Sequence, residues 1–153
     1  MANIYCLFAT EFAFPEQAAE DFISLCDGEL DDFPQWFVEH HKLTEENFDR
    51  FLEDCEKYGG ADITASYGGG KLYIASDDSG NINFVAFMLS EVMQYYNLRE
   101  PVIIEYAFTC SKPRPGEFGG GVVVIGPGTW QLNSTAAIGE KMAKAMKKEL
   151  NKK

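Results

Sequence analysis

The sequence predicts a single α+β domain with about five strands in one mixed or mainly antiparallel sheet and helices packed on it. Three observations lead there. Hydropathy switches along the chain between helical spacing and strict alternation. The elements run strand, helices, two strands, helix, two strands, helix, which is not the regular alternation of a doubly wound fold. Of the 153 residues 46% are hydrophobic, including 12 Phe, 7 Tyr and 2 Trp. That suffices for a real core and argues against a wholly disordered acidic chain. No linker or repeat divides residues 1–153. The expected organisation is an acidic helical part at about 15–58 followed by a sheet-rich part at about 62–153.

Asn3 to Ala9 reads as a strand, with Ile4, Cys6 and Phe8 alternating with Tyr5 and Leu7. Both faces are apolar enough to be covered. Pro15 suits a first helical position, Ala18, Ala19, Phe22, Ile23 and Cys26 follow at helical spacing, and Gly28 can end the helix. Residues 29–32 form an acidic loop, and Pro34 opens a short helix carrying Trp36, Phe37 and His40. Thr44 is a good N-cap, with Glu45 and Glu46 in the first turn and Phe48, Phe51, Leu52 and Cys55 as an apolar stripe. Gly59-Gly60 stops that helix.

Asp62 to Tyr67 and Lys71 to Ser76 read as a hairpin around a three-residue glycine turn, Gly68 to Gly70. Asp77 to Asn81 is turn and cap chemistry. The clearest helix follows, with Ile82, Val85, Ala86, Leu89, Val92, Met93 and Tyr96 at helical spacing and Asn97 closing it. Phe84, Phe87, Met88 and Tyr95 make its other faces apolar. It should be central, or should offer a hydrophobic patch to a partner or a second copy. Val102 to Thr109 and Gly121 to Ile125 are strands, and Gly126-Pro127-Gly128 ends the second. Asn133 or Ser134 caps a last helix with Ile138, Met142, Ala145, Met146 and Leu150 on its inner side and lysines at its negative end.

The charge is lopsided. The chain carries −11 in total, but residues 1–62 hold sixteen acids against three bases, a net −13. Such a field disfavours free nucleic acid and favours basic protein surfaces. No uninterrupted apolar run approaches a membrane span, and no signal core follows the N-terminus, so a cytoplasmic protein without membrane contact is expected. Cys6, Cys26, Cys55 and Cys110 contain no CxxC pair, which removes zinc-ribbon and thioredoxin-type readings and favours buried, reduced thiols.

No catalytic, metal or cofactor set stands out. His40 and His41 are the only histidines, and neighbours on a helix point in different directions, which makes them a poor joint metal site. Asp77 and Asp78 lack the spacing of a calcium loop. Two groups of candidates remain. Asp31, Asp32, Glu45, Glu46, Asp49, Glu53 and Asp54 suit an acidic partner-binding face with Trp36 as an aromatic anchor, although packing of Trp36 and Phe33 onto the domain is the favoured reading of that tryptophan. Alternatively, Cys110 and Ser111 beside Lys112 and Arg114 suit an anionic ligand or a nucleophile on the loop at 109–121. That loop lacks the phosphate-loop spacing.

The same stretch, Thr109-Cys110-Ser111-Lys112-Pro113-Arg114-Pro115-Gly116-Glu117-Phe118-Gly119-Gly120-Gly121 followed by Val122 to Ile125, resembles a segment of small uncharacterised proteins of phages, plasmids and other mobile elements. The turn from Ser76 to Gly80 and the helix after it are similar to that family as well, so the resemblance covers residues 63–126 and leaves out the acidic first part. It implies a mobile-element origin and transfers no activity. The expected function is therefore a non-enzymatic acidic module that binds a basic host protein, as a DNA-mimicking inhibitor in its most concrete form. A small-ligand protein or enzyme using the 109–121 loop is the alternative, and a homo-oligomer is a third reading.

Overall fold

The computed structural model describes residues 4–55, 63–76, 78, 80–112, 115 and 118–152. Among them, six strands form one antiparallel sheet in the order β2-β3-β1-β4-β5-β6. The strands are β1 (Ile4–Ala13), β2 (Thr64–Gly68), β3 (Lys71–Ser76), β4 (Val102–Cys110), β5 (Gly119–Gly126) and β6 (Thr129–Ser134). Five α-helices accompany them: α1 (Glu16–Asp27), α2 (Gln35–His41), α3 (Phe48–Asp54), α4 (Ile82–Tyr95) and α5 (Thr135–Leu150). The α+β class and single sheet are as the sequence predicts, with one strand more than expected. No helix among the described residues is long and apolar enough to cross a membrane.

The long first strand explains how one sheet forms from two meanders. Residues Ile4 to Leu7 of β1 pair with β4, while Phe8 to Ala13 pair with β3. The β2-β3 hairpin and the β4-β5-β6 meander thus share β1 as their seam. Alternation then sets the faces. Leu72, Ile74, Ile104, Val123 and Ile125 point to the covered side and are fully buried. The opposite side carries Ile103, Glu105 and Val124 in the open, with Ile103 60% exposed.

Helix α4 is the centre of the covered side. Nine of its residues are buried, including Phe84, Met88 and Met93, and it packs on α1, β5 and β6. Of the two readings open for this helix, the central one holds at Phe84 and Met88, which no second copy can reach. Both caps are legible locally. The Asn81 side chain accepts from the backbone N–H groups of Asn83 and Phe84. Asn97 takes φ 53°, and the Leu98 N–H returns to the Met93 carbonyl at 2.8 Å, completing a Schellman ending.

Four local expectations are corrected. The hairpin turn has two residues, not three: Gly68 pairs with Lys71, leaving Gly69 and Gly70 at φ 59° and 77°. Two consecutive positive φ values make the type I′ corner that matches strand twist. The third helix begins at Phe48 rather than after Thr44, because the Asn47 side chain accepts the Thr44 N–H and holds residues 44–47 as a turn. Gly126-Pro127-Gly128 ends β5 as expected, but the chain does not run on directly to the last helix: Gly126 pairs with Thr129, and an unexpected strand, β6, returns along β5. Gly121 makes this return close, since a Cβ there would collide with the Asn133 carbonyl and the Tyr106 hydroxyl.

The fourth correction concerns α5. Ser134 caps it as expected, accepting from the Ala137 N–H. Its apolar stripe is not an inner side, however. No residue of α5 is buried, and Ile138, Met142, Met146 and Leu150 are exposed, the two methionines 65% each. The helix meets β5 and β6 and leaves its stripe open. The expected Asn3 strand start, the Gly59-Gly60 stop, Asp62, Asp77, Ser79 and Lys153 lie outside the described residues.

Candidate functional site

The acidic stretch is anchored from beneath. Phe33, Phe37, Phe48 and Leu52 are buried, and edge-to-face contacts link Phe33 with Phe37 and with Phe48. Each short helix therefore turns its apolar side inward and its acids outward. Asp31, Asp32, Glu45, Glu46, Asp49, Glu53 and Asp54 are all exposed. A capping box fixes the loop around Asp32, with the Glu29 N–H donating to the Asp32 carboxylate at 3.1 Å.

Trp36 stands differently from the other candidates. Its indole N–H donates to Asp21 Oδ2 at 2.8 Å, and its ring stacks on Tyr95 at a centroid distance of 4.2 Å. The side chain is half-buried and packs against the core. Its free edge opens on a cleft of about 640 Å³ between α2 and α4, lined by Trp36, Glu39, His40, Glu91, Gln94 and Tyr95.

Deeper in the same region His41 Nε2 lies 2.7 Å from Glu91 Oε2, and both side chains are mostly shielded. Phe37, Phe51 and Phe87 surround the imidazole. The end of α2 is fixed by Lys42 at φ 51° and by the Leu43 N–H bonded to the Val38 carbonyl. The two histidines are therefore not separated as helix neighbours should be. His40, His41 and Glu91 each bring a ligating atom within 4.8 Å of the others. The reason is tertiary: α4 runs past the last turn of α2, so the Glu91 carboxylate contacts His41 and lies within 4.8 Å of a His40 nitrogen. Cys55 lies at the rim of a neighbouring cavity with Asp54, Asn83, Phe87 and Trp130. Burial first, and then the charges of Asp54 and Glu91, push its thiol up to about 11.

The alternative group at 109–121 is only partly placed. Cys110 ends β4 opposite Ile4 and is half-buried, while Ser111 and Lys112 are exposed. Arg114, with Pro113, Gly116 and Glu117, lies outside the described residues. No disulfide joins the four cysteines, but the expected burial holds only at Cys26, since Cys6, Cys55 and Cys110 are half-buried.

Two residues with structural weight were not singled out by their sequence positions. Asp21 shares the covered side of α1 with Ala18, Phe22 and Leu25, so a carboxylate at core spacing was its signal. Glu91 is the one charge in an otherwise uncharged helix, and that was its signal. No protein-family model, curated protein or solved structure matches the chain.

Proposed function

We propose that this chain is a non-enzymatic acidic module that binds a basic protein surface, working in the cytoplasm as a mobile-element inhibitor of a host nucleic-acid-binding or defence protein. The observation that carries the reading is the outward set Asp31, Asp32, Glu45, Glu46, Asp49, Glu53 and Asp54, seated on a packed aromatic footing. Carboxylates held this way would offer a DNA-binding partner the negative charge that phosphates supply. A pre-ordered surface also loses little conformational entropy on binding.

The test uses the intact chain beside a variant with Asp31, Asp32, Glu45, Glu46, Glu53 and Asp54 all changed to Lys. Both are used to capture proteins from lysate of the native host at low and high salt. The reading expects a stoichiometric basic partner on the parent, released by salt and missing from the variant. The captured protein should also lose its DNA as the parent chain is added. A partner held equally by the folded variant would overturn the acidic-face reading.

A second reading is favoured by α5. Lys141, Lys144, Lys147 and Lys148 flank its open stripe of Ile138, Met142, Met146 and Leu150. That chemistry complements the −13 of residues 1–62, so the basic partner would be α5 of a second copy. A monomer mass by light scattering at every protein concentration and at low salt would dismiss it.

A further inference from the structure

We infer that His40, His41 and Glu91 form a binding site for one divalent transition-metal ion of the zinc type. This goes beyond the proposed function and does not depend on it.

The donor set is the first argument. Two imidazole nitrogens and one carboxylate oxygen are a borderline set that suits zinc and its neighbours. Calcium and magnesium take oxygen ligands in larger number. The three ligating atoms already lie within 4.8 Å of one another. In a tetrahedral zinc site such atoms stand roughly 3.3 Å apart. The 2.7 Å contact between His41 Nε2 and Glu91 Oε2 would open slightly, with the ion in the place of the hydrogen between them. His40 is exposed and needs to swing inward by at most about 1.5 Å.

Pre-organisation is the second argument. The His41 and Glu91 side chains are only 19% and 15% exposed. Three phenylalanines hold the His41 ring, the closest being Phe37 at 4.4 Å between centroids. Two of the three ligands are therefore fixed before any ion arrives, and the third closes from solvent. Both histidines sit in the last turn of α2, where the helix dipole is negative and favours a cation. Glu91 is the one charge in an apolar helix, so its partial burial is costly without a positive partner.

Three protein ligands leave a fourth position for water or an exogenous donor, the pattern of open zinc sites. The cluster borders the cleft lined by Trp36, Glu39, Gln94 and Tyr95, which gives such a donor access.

The test treats the full chain with a chelator, removes the chelator, and titrates ZnCl2 by calorimetry and CoCl2 by visible absorption. The expected result is one ion per chain, with the intense visible bands of four- or five-coordinate cobalt. His40→Ala and Glu91→Gln should each weaken zinc binding by about a hundredfold, since even indirect supports of a metal site carry tenfold or more. Glu39→Gln, which removes a charge from the cleft but no ligand, should change it less than about threefold. Glu91→Gln can fail to fold; the exposed His40→Ala then decides alone. No stoichiometric uptake, or His40→Ala binding as the parent does, or an equal loss in Glu39→Gln, overturns the site in favour of diffuse attraction to an acidic surface.

Discussion

Asp21 on α1 accepts the indole N–H of Trp36 on α2 at 2.8 Å, across fifteen residues of chain. The same Oδ2 oxygen takes the Tyr96 hydroxyl at 2.7 Å, and Gln17 Nε2 reaches Oδ1 at 3.3 Å. One buried carboxylate therefore ties the acidic helices to the C-terminal end of α4. Burial first, and then the bond to Asp21, hold the Tyr96 phenol above its usual range.

Removing that acceptor should be costly. Asp21→Ala leaves an indole and a phenol donor without their partner, and the loss should be about 3 kcal/mol. Asp21→Asn keeps an acceptor oxygen but loses its charge, and should cost roughly half as much. Urea denaturation reads both as a lower midpoint at unchanged slope. A loss below about 0.5 kcal/mol in Asp21→Ala would mean that water replaces the carboxylate and that the tie is incidental.

Alkaline pH should weaken the fold. The Cys55 thiol, ordinarily near 9, stands at about 11 in the folded chain. Below pH 9 it is neutral folded or unfolded, and its contribution is fully present. Between about pH 9 and about 11 the unfolded chain releases the proton while the folded chain keeps it, so stability falls as pH rises. The Tyr96 phenol is raised as well and extends the decline above pH 10. Melting temperature measured across this window should drop, and Cys55→Ser should make the first part of the drop shallower. A flat profile for the parent chain would contradict both assignments.

The fold was legible wherever the signal was local. Asn81 and Asn97 mark the two ends of α4 because a cap is a property of a few neighbouring residues. Strand β6 was less legible: Trp130 and Leu132 do alternate with Gln131 and Asn133, but the Gly-Pro-Gly before them also reads as a stop. Helical spacing found the stripe on α5, yet spacing says nothing about whether the chain folds back to cover it. The His41–Glu91 pair spans fifty residues and exists only because α4 runs past the end of α2. Outward acids were legible from composition. The packing of Trp36 and Phe33 onto the domain was legible too, but the partners of Trp36 were not, because Asp21 and Tyr95 arrive from other helices.

The glycine corner offers a test of register. In a two-residue turn Gly70 carries φ 77° and Gly68 belongs to β2. Gly70→Ala should then cost about 1 kcal/mol, because a Cβ is disfavoured in the left-handed region. Gly68→Ala should be neutral or slightly stabilising, since nothing lies within 4 Å of a Cβ there and the unfolded chain loses freedom. Equal losses at the two positions in a denaturant titration would support a three-residue loop instead.

The open stripe of α5 separates folding from association. Side chains left 65% exposed add little to the stability of their own chain, so Met142→Gln with Met146→Gln should shift it by less than about 0.5 kcal/mol. Glutamine conserves the charge of the helix, so only apolar area is removed. If α5 docks on a second copy, the parent should run above the monomer mass of 17.1 kDa in light scattering and the double variant should return to it. Raising the salt should also lower the parent's mass, because lysines facing carboxylates lose attraction once the Debye length shrinks to about 3 Å near 1 M. A double variant that unfolds would instead show that the stripe is covered within the chain. One that folds and still associates would place the contact away from α5, with the open sheet face around Ile103 and Val124 the next surface to alter.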